Sequence, residues 1–186
     1  MVIHVASHQF TIDEYQRMGE VGLFREDDRV ELIEGEIVDM SPIGRRHAVR
    51  VSVISQLFSE RLGRAVFVWA QNPLTLPGRS QPEPDVTLLR PRPDFYTDKD
   101  PTAEDVLLVI EVADSSLDYD RRVKAALYAR NGVVEYWLVN LIQDHVIVHR
   151  DPTPDGYRDV QIAHDGDELR PLAFPDLVVA VADVLG

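Results

Sequence analysis

The chain has 186 residues, 45% of them apolar, with no cysteine and a formal charge of −13. That length suits one domain with its own core, spanning 1–186. The missing cysteine excludes a disulfide scaffold, a cysteine-ligated zinc, an iron–sulfur cluster and a thiol nucleophile. The longest apolar runs are too short to span a bilayer. The segment Met1 to Gln9 lacks the pattern of a signal peptide, so a cytoplasmic protein is expected. The charge is uneven: residues 81–186 carry 10 basic and 21 acidic side chains, whereas 45–64 hold five arginines and one glutamate. An acidic surface repels anionic partners. A polyanion would therefore have to be met by a local basic stretch.

In chain order, Thr11-Ile12-Asp13-Glu14 reads as a capping box opening a short helix to about Met18, ended by Gly19 and Gly22. Arg29 to Met40 reads as a hairpin turning at Glu34-Gly35. Arg45 to Leu62 is helical, with His47, Val51, Ile54, Phe58 and Leu62 in one stripe. Arg46, Arg50, Arg61 and Arg64 fall within about 60° of each other beside it. They form either a solvated flank or a phosphate-facing ridge. Strands are expected at Val66–Ala70, with Leu74-Thr75-Leu76 as a continuation after a break, and at Asp85–Leu89 and Asp105–Ala113. A helix from Asp118 to Arg130 follows, with Ser115 or Ser116 as N-cap and Asn131-Gly132 as its stop. Strands at Glu135–Val139 and Val146–Val148 come next, with an edge strand at Val160–Ile162. Leu177 to Leu185 fits a helix or a strand. The order defines a mixed α/β domain around one central sheet.

Three residues carry the chemical reading. Glu111 interrupts the apolar run VLLVIEV, and an ionised carboxylate is rarely buried without a partner. A salt bridge, a metal ion or a lysine would satisfy it. Strand alternation puts Leu107, Val109 and Glu111 on one face, with Glu111 at the carboxyl end, where α/β sheets tend to bind ligands. Asp85 precedes an apolar strand in Pro82-Glu83-Pro84-Asp85. Two carboxylates at one end of adjacent strands make an oxygen-rich pocket suited to Mg²⁺, with Mn²⁺ as a substitute. Lys124 lies on the helix after the Glu111 strand, facing either these acids or, as a surface pair, Asp120. Tyr128 is one turn further along the same face. The set suits metal-assisted phosphodiester hydrolysis, with the Val112 carbonyl as a third metal ligand. The lysine would orient the water or stabilise developing charge.

His47 opens the long helix as either a core residue or a site residue. Glu31 or Glu34 could supply an accessory acid from the hairpin, and Asp114 and Asp120 could hydrogen-bond Lys124. Phosphate loops, dinucleotide fingerprints, nucleophile elbows and paired histidines are missing from the sequence.

The segments VELIEGEIVDMSP (30–42), PEPDVTLL (82–89) and LLVIEVADSSLDYDRRVKAALYARNGVVEYWLVN (107–140), with His47 between the first two, resemble the Uma-type family. That family is described as restriction endonucleases and placed in the PD-(D/E)XK nuclease superfamily. The resemblance covers about Phe10 to Tyr157. It implies a restriction-endonuclease-like α/β fold: a central mixed β-sheet flanked by helices, with an N-terminal helix and β-hairpin. Carried over, the Pro-Asp of the superfamily becomes Pro84-Asp85 and its central acid becomes Glu111. The usual lysine position, two residues later, is Ala113, and Lys124 matches a lysine moved to the following helix. The resemblance implies a metal-dependent endonuclease acting on nucleic acid, DNA first, for which a homodimer would gather the few basic groups. A non-catalytic interaction module on the same fold is the competing expectation, favoured by the acidic charge and by Ala113.

Overall fold

The computed structural model describes residues 7–25 and 27–186. Helix α1 (Ile12–Glu20) starts at the expected capping box: the Glu14 N–H donates to Thr11 Oγ1 at 3.2 Å, and the Thr11 N–H donates to Glu14 Oε2 at 2.8 Å. Strands β1 (Val30–Ile33) and β2 (Glu36–Asp39) form the hairpin. Glu34 and Gly35 both have positive φ, 50° and 85°, as a tight primed turn requires. A Cβ on Gly35 would lie 2.7 Å from Gln9 Cβ, so glycine is needed there for space as well. Helix α2 (Arg45–Leu62) buries Val51, Ile54 and Phe58, three members of the predicted stripe.

The central sheet has six strands: β3 (Phe67–Ala70), β4 (Val86–Leu89), β5 (Val106–Ala113), β6 (Glu135–Asn140), β7 (His145–Thr153) and β8 (Gly156–His164). They lie in chain order, and every neighbouring pair is antiparallel except β5–β6. The parallel pair needs a crossover. It is a helical segment made of α3 (Leu117–Tyr119), a π-turn at Asp120–Lys124 and α4 (Ala125–Arg130). The chain closes with β9 (Glu168–Leu169), β10 (Val179–Ala180) and the short α5 (Val181–Leu185). The ambiguous Leu177–Leu185 stretch is thus both strand and helix. Leu74–Leu76 makes only isolated bridges, to Thr102 and Ser80, and does not extend β3.

Each face of the sheet is covered. On one, Leu108, Ile110, Val112, Trp137 and Val139 pack against Val51, Ile54 and Phe58 of α2 and Val181 and Val184 of α5. On the other, Val109, Ala113, Tyr136 and Leu138 pack under Ala125, Leu127 and Tyr128 of α4, with Ile33 of the hairpin. Every residue of β5 is buried, as its apolar run implies. Strict alternation fails at one point. Leu88 pairs with Leu108 but Leu89 pairs with Val106, so Leu107 is an extra residue. It joins Leu108 on the α2 side, not Val109 and Glu111 as expected. Beyond the bulge the alternation holds, and Glu111 faces the hairpin and α4.

Candidate active site

The site forms where β4 begins and β5 ends. Val86 pairs with Ile110, and Asp85 lies one residue before β4, beside the end of β5. Its carboxylate takes over the role of a strand partner: the Val112 N–H donates to Asp85 Oδ2 at 2.9 Å. In return the Asp85 N–H donates to Glu111 Oε2 at 3.1 Å. The two acids proposed from sequence are therefore locked side by side by backbone bonds, and Asp85 and Glu111 are only 7% and 3% exposed. His47, at the start of α2, places Nε2 2.9 Å from Asp85 Oδ2. Its other nitrogen, Nδ1, is buried without a partner among the described residues.

Lys124 reaches this end of the sheet from the π-turn. The Ala125 N–H donates to the Asp120 carbonyl, five residues back, and Tyr136 Oη donates to that same carbonyl at 3.3 Å. A π-turn carries one extra residue, and such turns are frequent at functional sites. The Lys124 ammonium lies 3.1 Å from Glu111 Oε1 and 3.1 Å from Glu31 Oε2. Both acids have a phenol as well: Tyr128 Oη donates to Glu111 Oε1 at 2.7 Å, and Tyr119 Oη to Glu31 Oε1 at 3.4 Å. The surface pairing of Lys124 with Asp120 does not occur, because Lys124 is only 4% exposed. Asp120 instead accepts from Ser116 Oγ.

These groups line a cavity of about 570 Å³. Its walls carry eight acids, Glu31, Asp39, Glu83, Asp85, Glu111, Asp114, Asp118 and Asp120, against the cations Arg29 and Lys124. Burial pushes the Glu111 carboxyl up to about 8; Lys124 pulls it back, and the charges of Asp85 and Asp120 add to the rise. Burial likewise raises Asp120 to about 6, against the pull of Lys124 and Ser116. For Lys124 burial works against the ammonium, but Glu111, Glu31 and Asp120 outweigh it and raise its pKa. His47 is raised chiefly by its hydrogen bond to Asp85, with burial opposing.

Of the accessory candidates, Glu31 joins the site and Glu34 does not. Glu34 sits in the hairpin turn and pairs with Arg130 at 2.7 Å. Asp114 and Asp120 line the cavity, but the hydrogen bonds of Lys124 go to Glu111 and its ion pairs to Glu111 and Glu31. Neither aspartate is the lysine partner proposed from sequence; a π-turn aims the ammonium at the strand and the hairpin instead. None of Arg46, Arg50, Arg61 and Arg64 lines the cavity. Arg46 pairs with Asp144 and Arg61 with Asp183. Sequence reasoning did not single out Tyr119, Glu83 or Arg29. Tyr119 is five residues from Lys124, but nothing local in the sequence marks Glu83 or Arg29.

The donor set is made of hard oxygen atoms. Among the described residues, no group of three or more histidine, aspartate and glutamate side chains forms a ready metal cage. Magnesium needs none: it typically uses one or two carboxylates and keeps several waters. Asp85 and Glu111, adjacent at one strand end, fit that requirement.

The fold and site define a restriction-endonuclease-like α/β protein. A crystal structure from Anabaena variabilis, described as a "putative nuclease belonging to DUF820", has the same fold, with a TM-score of 0.73 at 17% identity, covering 95% of this chain and 97% of that one. The model of the Uma2 family, described as "Putative restriction endonuclease", matches residues 12–182, and the chain belongs to that family. Comparison with curated proteins gives no match. Among the described residues, no helix is long and apolar enough to cross a membrane.

Proposed function

We propose that the protein is a metal-dependent endonuclease that hydrolyses phosphodiester bonds of nucleic acid, DNA first. The observation that carries this reading is the buried Lys124 ammonium, 3.1 Å from Glu111 and on the wall of the cavity that Asp85 also lines. Asp85 and Glu111, with the Val112 carbonyl, are the residues that would hold Mg²⁺ or Mn²⁺. When bound, such a cation polarises the phosphate and lowers the pKa of a water molecule. Glu31 and Glu111 fix the ammonium of Lys124 in position, and Lys124 stabilises charge as it develops on the phosphate. His47 holds Asp85 in its rotamer. The arginines of α2 would serve as outer phosphate contacts, and a homodimer would set two cavities on one duplex.

A non-catalytic module is the second reading. It is favoured by the excess of carboxylates and by the closed ion network, in which each acid of the motif already has a partner. The test is cleavage of supercoiled and linear DNA with Mg²⁺ or Mn²⁺, against EDTA, by wild type, Asp85→Ala and Lys124→Ala. Metal-dependent cutting by wild type, lost in both variants, is the expected result. Folded wild type that cuts with neither metal would shift the assignment to the non-catalytic module.

A further inference from the structure

An entering phosphodiester meets a wall of carboxylates, so some cation on that wall has to receive it. Lys124 is buried and already shared between Glu31 and Glu111. The arginines of α2 lie outside the cavity, and two of them are ion-paired elsewhere. Arg29 remains. It stands on the cavity wall just before β1, half-buried. Among the described residues no carboxylate lies within ion-pair distance of it: its side chain donates from Nη1 to the Ser41 carbonyl at 3.0 Å. Its own carbonyl accepts from the Met40 N–H at 2.8 Å. The hairpin therefore holds Arg29 at both backbone and side chain.

We propose that Arg29 is the substrate-binding residue that receives the phosphate next to the bond to be cut. The assignment rests on the endonuclease reading and names the group that would recognise its substrate. A guanidinium carries five N–H donors in a planar fork that suits phosphate oxygens, and a single bond to Ser41 leaves most of them available. The charge balance points the same way. Arg29 acts electrostatically on both His47 and Glu83, which line the same cavity as Asp85. The Ser41 carbonyl fixes the fork, and the same hairpin carries Glu31 two residues on, where it holds Lys124. One short element thus sets both the phosphate receptor and the ammonium.

The test is binding of a duplex DNA oligonucleotide in Ca²⁺, followed over a salt series, with cleavage in Mg²⁺ measured beside it. Wild type, Arg29→Ala and Arg29→Lys are compared. The expected result is affinity weaker by roughly tenfold to a hundredfold in Arg29→Ala, the cost of a hydrogen bond to a charged group. The slope of log affinity against log salt should fall by about one unit, the signature of one lost phosphate contact. Arg29→Lys should keep the slope but not the full affinity. A merely structural role at the hairpin would weaken cleavage and leave the slope unchanged, and that result overturns the assignment of Arg29. If wild type neither binds nor cuts the duplex, the endonuclease reading falls and takes this assignment with it. Wild type that cuts normally beside an unaltered Arg29→Ala removes Arg29 alone.

Discussion

Glu111 and Glu135 lie on neighbouring strands of one sheet, and both are almost fully buried. Glu135 is enclosed. Arg150 donates to its Oε1 from Nε at 2.9 Å and from Nη2 at 2.7 Å, Trp137 adds an indole N–H at 3.0 Å, and the Leu172 N–H donates to Oε2 at 2.7 Å. It is not among the residues that line the cavity of about 570 Å³. Glu111 also has partners, but it faces a cavity lined by seven other carboxylates, and its pKa is raised to about 8. Burial of an acid is thus not what marks a site. A structural acid is matched by one guanidinium and sealed, whereas the acid of a site is left with like charges and an opening for a ligand.

Substitution should separate the two most sharply. Glu135→Ala strands Arg150, and stability should fall by about 3 kcal/mol in urea unfolding, near the low end for a broken buried pair because Arg150 is partly exposed. Activity per folded molecule should not change. Glu111→Gln should do the reverse: cleavage falls by about 10²–10³-fold or more, while the protein stays folded because Glu31 still pairs with Lys124. Wild-type cleavage by Glu111→Gln would erase the distinction.

A pH series sharpens the comparison. A carboxyl whose folded pKa lies above its unfolded one binds more protons in the native state. Its stabilising contribution is complete below the unfolded value and is lost as pH rises through the folded value. For Glu111 the window runs from the ordinary value of 4.5 to about 8. Wild-type stability should carry a declining component across that range, and Glu111→Gln should lack it. Equal slopes in the two proteins would show that Glu111 does not titrate there.

The smallest effect concerns α2. Arg46→Ala combined with Arg50→Ala should weaken DNA binding several-fold and lower the salt slope by less than two units, since Arg46 is already paired with Asp144. An unchanged slope would leave these arginines as a solvated flank.

Much of this architecture is local, and local physics made it legible. The capping box at Thr11, the primed turn at Glu34-Gly35 and the stripe along α2 each depend on residues within a turn or two. Glu111 could be singled out because a charge in an apolar strand demands a partner. The face of Leu107 could not be read, because a bulge is a property of two strands in register. The places of Glu31, Glu83 and Arg29 on the cavity wall are not legible locally, because they arise from segments far apart in sequence. Glu31, for instance, meets Lys124 across 93 positions.

By itself the sequence determined most of the element order, the buried strand with its acid, and Asp85, Glu111 and Lys124 as the candidate set. Periodicity, capping and the cost of burying charge act along the chain. Only the tertiary structure decided which carboxylates share the ammonium, that His47 turns to Asp85 and not into the core, and that the α2 arginines lie off the cavity. Those outcomes depend on a π-turn, a bulge and a hairpin docked on a sheet end. Coulombic and hydrogen-bond partners are chosen by distance in space, which no spacing along the chain encodes.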